Sequence, residues 1–430
     1  MKDLAGVHSV FGWMDRFLIP PLTRLSEQRH LKAVRDGIVS TIPFIIVGSF
    51  FLIFAFPPFP ALAALVKPHA EIILLPYRLT VGMMAVYATI GIGYHLARSY
   101  DLSGATGGLL AAAAFFLTIS PGQTATYGWV LPLERLGGGG MFVGILTAIL
   151  AVEVLRIAKS RRFVLRLPEG VPESVARSFE ALLPGAVIIV AIWGIKVLGL
   201  DLHRAVASLL QPLVIAGNSL AGILVPIAMI SLLWAAGIHG DSVVGTVARP
   251  VWLVLLDQNI AAAAAGQSVP NIAPEPFFQW FVWIGGSGAS LGLVILMLFS
   301  RAEYLRSVAK AALIPGICNI NEPVVFGVPL MLNPTLFIPF VVGPLLIGTI
   351  TYLAMAFELV GRPFILVPWT LPAPLGAYLA TGGDWRAVVL VGINIAVATL
   401  LYYPFFRAYE AKLLGRGEKA KEEAAEKYKS

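Results

Sequence analysis

Long apolar runs recur along this chain, parted by short polar stretches. A helix that crosses a membrane needs about 20 mainly apolar residues. Windows of that kind lie at 37–56, 79–97, 104–120, 141–158, 179–200, 217–238, 246–265, 276–299, 335–358 and 385–406. The pattern predicts an all-α integral membrane protein with about ten transmembrane helices. Two more apolar stretches, 313–333 and 363–382, are broken by prolines. Non-helical backbone survives at membrane depth only where protein buries it or water reaches it. Both are therefore expected to be re-entrant hairpins. Residues 1–36 set Trp13, Phe17, Leu18 and Leu22 among arginines and lysines, the pattern of an amphipathic surface helix. Residues 201–215, DLHRAVASLLQPLVI, suggest a horizontal amphipathic connector.

Composition agrees. Hydrophobic residues make up 58% and charged residues 13%, about half the charged share of a soluble domain. The 42 glycines and 30 prolines fit membrane helices, which tolerate both. The net charge of +7 gathers in a few loops and at the two ends, as in a protein held against an anionic leaflet rather than a nucleic acid. With a single cysteine, Cys318, no intrachain disulfide can form. No cleavable signal peptide is visible.

The basic residues also set a topology. They crowd the N-terminal segment, the loop KSRRFVLRLPEGVPESVAR, the loop RAEYLRSVAK and the tail after 406, while 121–132 and 266–275 carry no lysine or arginine. Ten crossings put all four basic segments on one side, which the positive-inside rule makes the cytoplasm, with both termini there. The chain is expected to divide near residue 215. A scaffold of five plain helices spans 37–200, an interrupted, glycine-rich part spans 216–406, and a charged tail spans 407–430. Broken apolar segments point to a transport site.

Three stretches carry chemistry. In ICNINEPVVFGVPLMLNP, Glu322 stands between apolar neighbours with Asn319 and Asn321 beside it. An ionised carboxylate in hydrocarbon costs several kcal/mol unless paired or hydrated. It is either a structural acid tied to backbone amides or an acceptor for a polar ligand. The two amides offer donors and acceptors together, the mixture that sugar hydroxyls want. In LLWAAGIHGDSVVG, His239 and Asp241 sit among Gly237, Gly240 and Gly245, which mark a helix broken where backbone can approach a ligand. Whether Asp241 touches a ligand or caps backbone is open. In LVPWTLPAPLGAYLATGGDW, Trp369 lies between prolines and suits either stacking on a sugar face or an interfacial belt. GGGG at 137–140 lacks the lysine of a phosphate loop, and GATGG at 104–108 reads as helix packing. Arg78, Glu134, Arg135, Glu153 and Lys196 near the span ends are expected to snorkel. The six histidines are too scattered for a metal site, and no cofactor is expected.

NINEPVVFG followed by PLMLNP, GIHGD after an apolar helix, PWT…P…LATGGDW, and the opening RHLKAVRDGIVSTIPFIIVGSFFLI together resemble a known family. It is the membrane-embedded IIC subunit of bacterial phosphotransferase sugar permeases, in the lactose, cellobiose and N,N′-diacetylchitobiose group. The resemblance runs over nearly the whole chain. It implies a homodimer in the bacterial plasma membrane, with the N-terminal helices as dimer contact and the C-terminal part as sugar carrier moving against that scaffold. It implies that Glu322 and His239 bind the sugar near the hydroxyl to be phosphorylated, with Asn321 and Trp369 carried over beside them. The phosphoryl donor would be the phosphocysteine of a IIB subunit. Some relatives fuse IIB to the C-terminus; this chain has a charged tail there, so a separate IIB protein is expected. Cys318 lies in a membrane hairpin and cannot be that donor. Which disaccharide is carried is not written in the motifs.

The main alternative is an ion-coupled secondary transporter, which broken helices and membrane carboxylates suit equally well. A membrane-embedded enzyme would need a nucleophile with its base or a set of metal ligands, and neither is in evidence.

Overall fold

The structure, a computed structural model, describes residues 27–55, 60–165, 179–328 and 335–429, with single positions among the rest. Of the predicted surface helix at 1–36, the part before Glu27 lies outside the described residues except for Arg16 and Arg24, as do Pro329, Met331, Leu332 and Pro334 of the PLMLNP motif.

Helices dominate: α1 (Arg29–Val39), α2 (Ile42–Ala55), α3 (Met84–Ser99), α4 (Gly104–Thr118), α5 (Met141–Ser160), α6 (Leu182–Val197), α7 (Leu202–Gly217), α8 (Leu220–Ala235), α9 (Gly240–Ala264), α10 (Leu291–Leu298), α11 (Glu303–Ile317), α12 (Glu322–Gly327), α13 (Phe337–Ala356), α14 (Ala373–Ala380) and α15 (Trp385–Lys429). A small hairpin pairs β1 (Gly122–Thr124) with β2 (Gly128–Val130). Among the described residues, Ala64–Ser99, Gly138–Ser160, Phe337–Ala356 and Trp385–Gly415 are each long and apolar enough to cross a membrane. Helices α4 and α8 are apolar but shorter, and α7 turns 82° away from α6.

The window at 276–299, expected as one crossing, is not one helix. A short helical segment at 275–282 gives way to the loop WIGGSGAS before α10 begins. Gly285, Gly286 and Gly288 take φ of +80°, +93° and +84°, and Ala289 takes +52°. Such left-handed backbone cannot continue a helix. Hydropathy cannot see it, because every residue in the loop is still apolar or small.

Packing divides the chain into two compact units: 24–217 with 245–270, and 218–244 with 271–430. In the first, α3 packs on α1, α4 and α5. The GATGG stretch lies at the α3–α4 contact, where a Cβ on Gly107 would stand 2.6 Å from the Gly93 carbonyl. The GGGG stretch is also structural. The amides of Gly138 and Gly139 donate to Asp257, and a Cβ on Gly138 would fall 2.5 Å from that of Asp257.

The polar residues near the span ends do more than snorkel. Arg78 pairs with Glu71 at 2.7 Å, and Arg135 pairs with Asp201 at 2.8 Å. Glu153 accepts from Tyr100 Oη at 2.6 Å and Arg156 Nε at 2.7 Å, with His30 at 2.9 Å. Lys196 donates to the carbonyl of Ile119, just past the end of α4. A cation there offsets the negative end of the helix.

In the second unit, α8 packs on α13, and α15 runs against α10, α13 and α14. Phe277, Phe278, Trp280, Phe281 and Tyr402 are buried at its centre. This aromatic core supports the loop at 283–290, whose Gly288 carbonyl accepts from Tyr402 Oη at 2.8 Å.

Candidate functional site

The six candidate site residues, His239, Asp241, Asn319, Asn321, Glu322 and Trp369, lie in the second unit, and a chain of short contacts joins most of them. It begins at the break between α8 and α9. The α8 end closes with Ile238 N donating to Leu233 O at 2.9 Å and Gly237 N to Trp234 O at 3.0 Å, around Gly237 at φ +87°. This pair of bonds is the Schellman pattern, which needs a left-handed residue. Gly240 then passes so close to the Ile230 backbone that no Cβ fits. His239 is left exposed on the turn.

The turn fixes the His239 tautomer. Its Nδ1 accepts from the Ser242 backbone N–H at 3.2 Å. A backbone N–H can only donate, so Nδ1 carries no proton and the neutral ring has its hydrogen on Nε2. His239 thus presents an N–H donor. Behind it lies the buried Trp234 ring, 4.5 Å between centroids.

Asp241 is engaged by protein groups. Its Oδ2 accepts from Trp234 Nε1 at 3.3 Å and from Ser287 Oγ at 2.8 Å. Ser287 belongs to the glycine-rich loop, and its carbonyl accepts from Asn321 Nδ2 at 2.9 Å. A contact path therefore runs His239, Trp234, Asp241, Ser287, Asn321, from the GIHGD break to the NEP hairpin.

The hairpin tip is built around Asn319. This residue takes φ +61°, a conformation asparagine tolerates better than most. Its Oδ1 accepts from Gly285 N at 3.1 Å, and its Nδ2 donates to the carbonyls of Trp369 and Leu371 at 3.1 and 3.0 Å. One side chain thus ties the first broken stretch to the second and to the loop between α9 and α10. Asn319 and Asn321 are both buried, at 8% and 4% exposure.

Glu322 is different. It opens α12 directly before Pro323 and is exposed. Among the described residues none hydrogen-bonds or ion-pairs its carboxylate, so its oxygens remain open as acceptors. Trp369 is 46% exposed, with its backbone held by Asn319 and by the turn that closes from Leu371 N to Pro368 O at 3.1 Å. The second stretch is seated on the core: Gly376 of α14 lies flat against the buried Trp280 ring.

The site residues therefore fall into two groups. His239, Glu322 and Trp369 expose a donor, an acceptor and an aromatic ring. Asn319, Asn321 and Asp241 spend polar atoms on holding protein together. Sequence reasoning missed Trp234 and Ser287. Only the spacing of Trp234, five residues before His239, and the glycines flanking Ser287 hint at them. Cys318 is half-buried. Among the described residues, no group of three or more His, Cys, Asp or Glu is placed to hold a metal ion.

Comparison with known proteins supplies the context. The model of the family described as "Phosphotransferase system, EIIC" matches residues 35–344. The chain is 40% identical over 423 residues to the "Lichenan permease IIC component" of Bacillus subtilis (strain 168), covering 93% of this chain and 94% of that one. It is 37% identical over 445 residues to the "PTS system cellobiose-specific EIIC component" of Geobacillus stearothermophilus, covering 96% and 97%. The crystal structure of the transporter ChbC, the IIC component from the N,N′-diacetylchitobiose-specific phosphotransferase system, superposes with a TM-score of 0.89 at 36% identity, covering 94% of this chain and 99% of that one.

Proposed function

Since the chain belongs to the phosphotransferase system EIIC family, we propose that it is the membrane permease for a β-linked disaccharide of the cellobiose or diacetylchitobiose type. The relatives named for cellobiose and diacetylchitobiose share a β-1,4 linkage between glucose-type rings, which supports that substrate class. The family excludes the ion-coupled alternative, because its members couple uptake to phosphorylation of the sugar.

The observation that carries the site assignment is Glu322. It is an exposed carboxylate with no hydrogen-bond or ion-pair partner among the described residues, next to a buried asparagine network that fixes the backbone around it. Glu322 accepts from a sugar hydroxyl, His239 donates to one through Nε2, and the Trp369 ring stacks on an apolar sugar face. In the phosphoryl step the sugar O6 attacks the phosphorus of a phosphocysteine on IIB. The P–S bond breaks, the O–P bond forms, and the hydroxyl proton passes to Glu322. A positioned base of this kind contributes roughly 10²–10⁴-fold, the remainder coming from alignment and electrostatics. The positive-inside bias of the basic loops supports a cytoplasmic location for both termini and for the face that meets IIB. A homodimer through the N-terminal scaffold, with the sugar-binding part moving against it, completes the proposal.

Membrane vesicles test it. With IIB and a phosphoryl supply inside, they should accumulate cellobiose 6-phosphate, and without IIB they should not. Proton-driven accumulation of unmodified sugar without IIB would overturn the proposal.

A further inference from the structure

The site holds its donor and its acceptor on different segments. His239 stands at the α8–α9 break and Glu322 opens α12, so a disaccharide that bridges them needs both segments in register. The contacts that set this register converge on one oxygen. Asp241 Oδ2 accepts from Trp234 Nε1, whose ring backs His239, and from Ser287 Oγ, whose own carbonyl accepts from Asn321, the neighbour of Glu322.

We propose that Asp241 and Ser287 form a clasp that positions the His239 segment against the NEP hairpin. Asp241 is then a positioning residue: it acts on the sugar through Trp234 and Ser287. The inference rests on the reading that His239 and Glu322 hold the sugar.

Three features favour the clasp. A carboxylate acceptor makes stronger hydrogen bonds than a neutral one, which suits a joint between two segments. Ser287 is 6% exposed and cannot serve as a surface contact. The loop that carries it is held from behind: a Cβ on Gly286 would lie 2.6 Å from Asn321 Cγ, and Tyr402 bonds the Gly288 carbonyl. Ser287 therefore has little freedom to follow Asp241, so the bond between them constrains the α8–α9 break.

The test is a double-mutant cycle on the full chain in detergent, read by calorimetry with cellobiose and diacetylchitobiose. Asp241→Asn and Ser287→Ala should each weaken binding about tenfold, as expected for loss of a hydrogen bond to a charged group. The double variant should bind no more weakly than the worse single one. Trp234→Phe keeps an aromatic ring behind His239 while removing the Nε1–H donor together with the five-membered ring, and serves if Asp241→Asn fails to fold. It too should be non-additive with Ser287→Ala.

A second readout needs no sugar. The His239 imidazole resonance, assigned by its loss in His239→Gln, should move in Ser287→Ala, although Ser287 does not touch that ring. Additive losses, an unmoved resonance, or unchanged affinity in Asp241→Asn would each overturn the clasp. Glu322→Gln measured alongside keeps the two ideas apart. Unchanged binding in Glu322→Gln overturns the site reading itself, whereas lost binding there with an additive cycle overturns only the clasp.

Discussion

Asn319 donates to the Trp369 carbonyl at 3.1 Å, so a side chain of the NEP hairpin holds the backbone of the second broken stretch across 50 residues of sequence. The same amide reaches Leu371 O, and its oxygen takes the Gly285 N–H. The three bonds use opposite polarities of one side chain. Asn319→Asp keeps the acceptor but turns a carboxylate oxygen toward two carbonyls. It should destabilise the protein more than Asn319→Ala, which costs about 2–3 kcal/mol by leaving buried groups unpaired. Thermal melting of the two purified variants ranks them, and equal melting points would contradict the polarity argument.

The glycine-rich loop makes a steric prediction. Gly286 combines φ +93° with an Asn321 side chain 2.6 Å from where a Cβ would stand. Gly286→Ala should cost about 1–3 kcal/mol in backbone strain alone. It should also displace Asn321 and weaken sugar binding. Gly245→Ala meets no atom within 4 Å and should leave binding unchanged. Calorimetry on both variants checks the contrast.

In the first unit, Gly138 makes a parallel prediction with no consequence for the sugar. A methyl group there collides with Asp257 and disturbs the amides that satisfy its carboxylate. Overpacking of this kind costs about 1–3 kcal/mol. Gly138→Ala should lower the melting temperature while the affinity for disaccharide stays the same. A changed sugar preference in this variant would contradict the assignment of GGGG to packing.

His203, at the start of α7 and outside the ten spans read from the sequence, predicts a pH dependence. Thr118 Oγ1 gives its hydrogen to Phe115 O at 2.6 Å, so it accepts from His203 Nε2 at 2.9 Å. Among the described residues, His203 Nδ1 is buried without a partner. Protonation would put a buried N–H there. Burial first, then the nearby Arg135 and Lys196, push the imidazole down to about 4, with Asp201 opposing. The unfolded chain binds this proton near its ordinary value of about 6.5, so it holds more protons between the two values and stability rises with pH across that window. The contribution is complete above about 6.5 and lost as pH falls toward about 4. Melting curves at several pH values should show wild type losing stability faster than His203→Gln over that range. Parallel curves would contradict the assignment.

Much of the architecture is legible in the sequence because hydropathy and charge bias act over whole segments. Windows such as 141–158 and 335–358 correspond closely to α5 and α13. The loop at 283–290 is not legible, because its break comes from glycine backbone angles within a stretch that stays apolar throughout. For the site, Glu322 and His239 are visible as polar residues where polarity is costly. Asn319 and Asn321 are equally visible, but their partners are backbone groups more than 30 residues away, and no local pattern encodes those. Ser287 and Trp234 are invisible for the opposite reason. A serine among glycines and a tryptophan in an apolar helix look ordinary until the fold brings Asp241 between them.

The most direct test of the sugar site is calorimetric binding of cellobiose and diacetylchitobiose to wild type beside Glu322→Gln. Glutamine keeps the shape and removes the charge. If Glu322 holds a sugar hydroxyl, the variant should stay folded and bind the preferred disaccharide about 10–100-fold more weakly, the loss of a charge-assisted hydrogen bond. Equal affinity in the two proteins would remove Glu322 from the site and leave the NEP hairpin as scaffold.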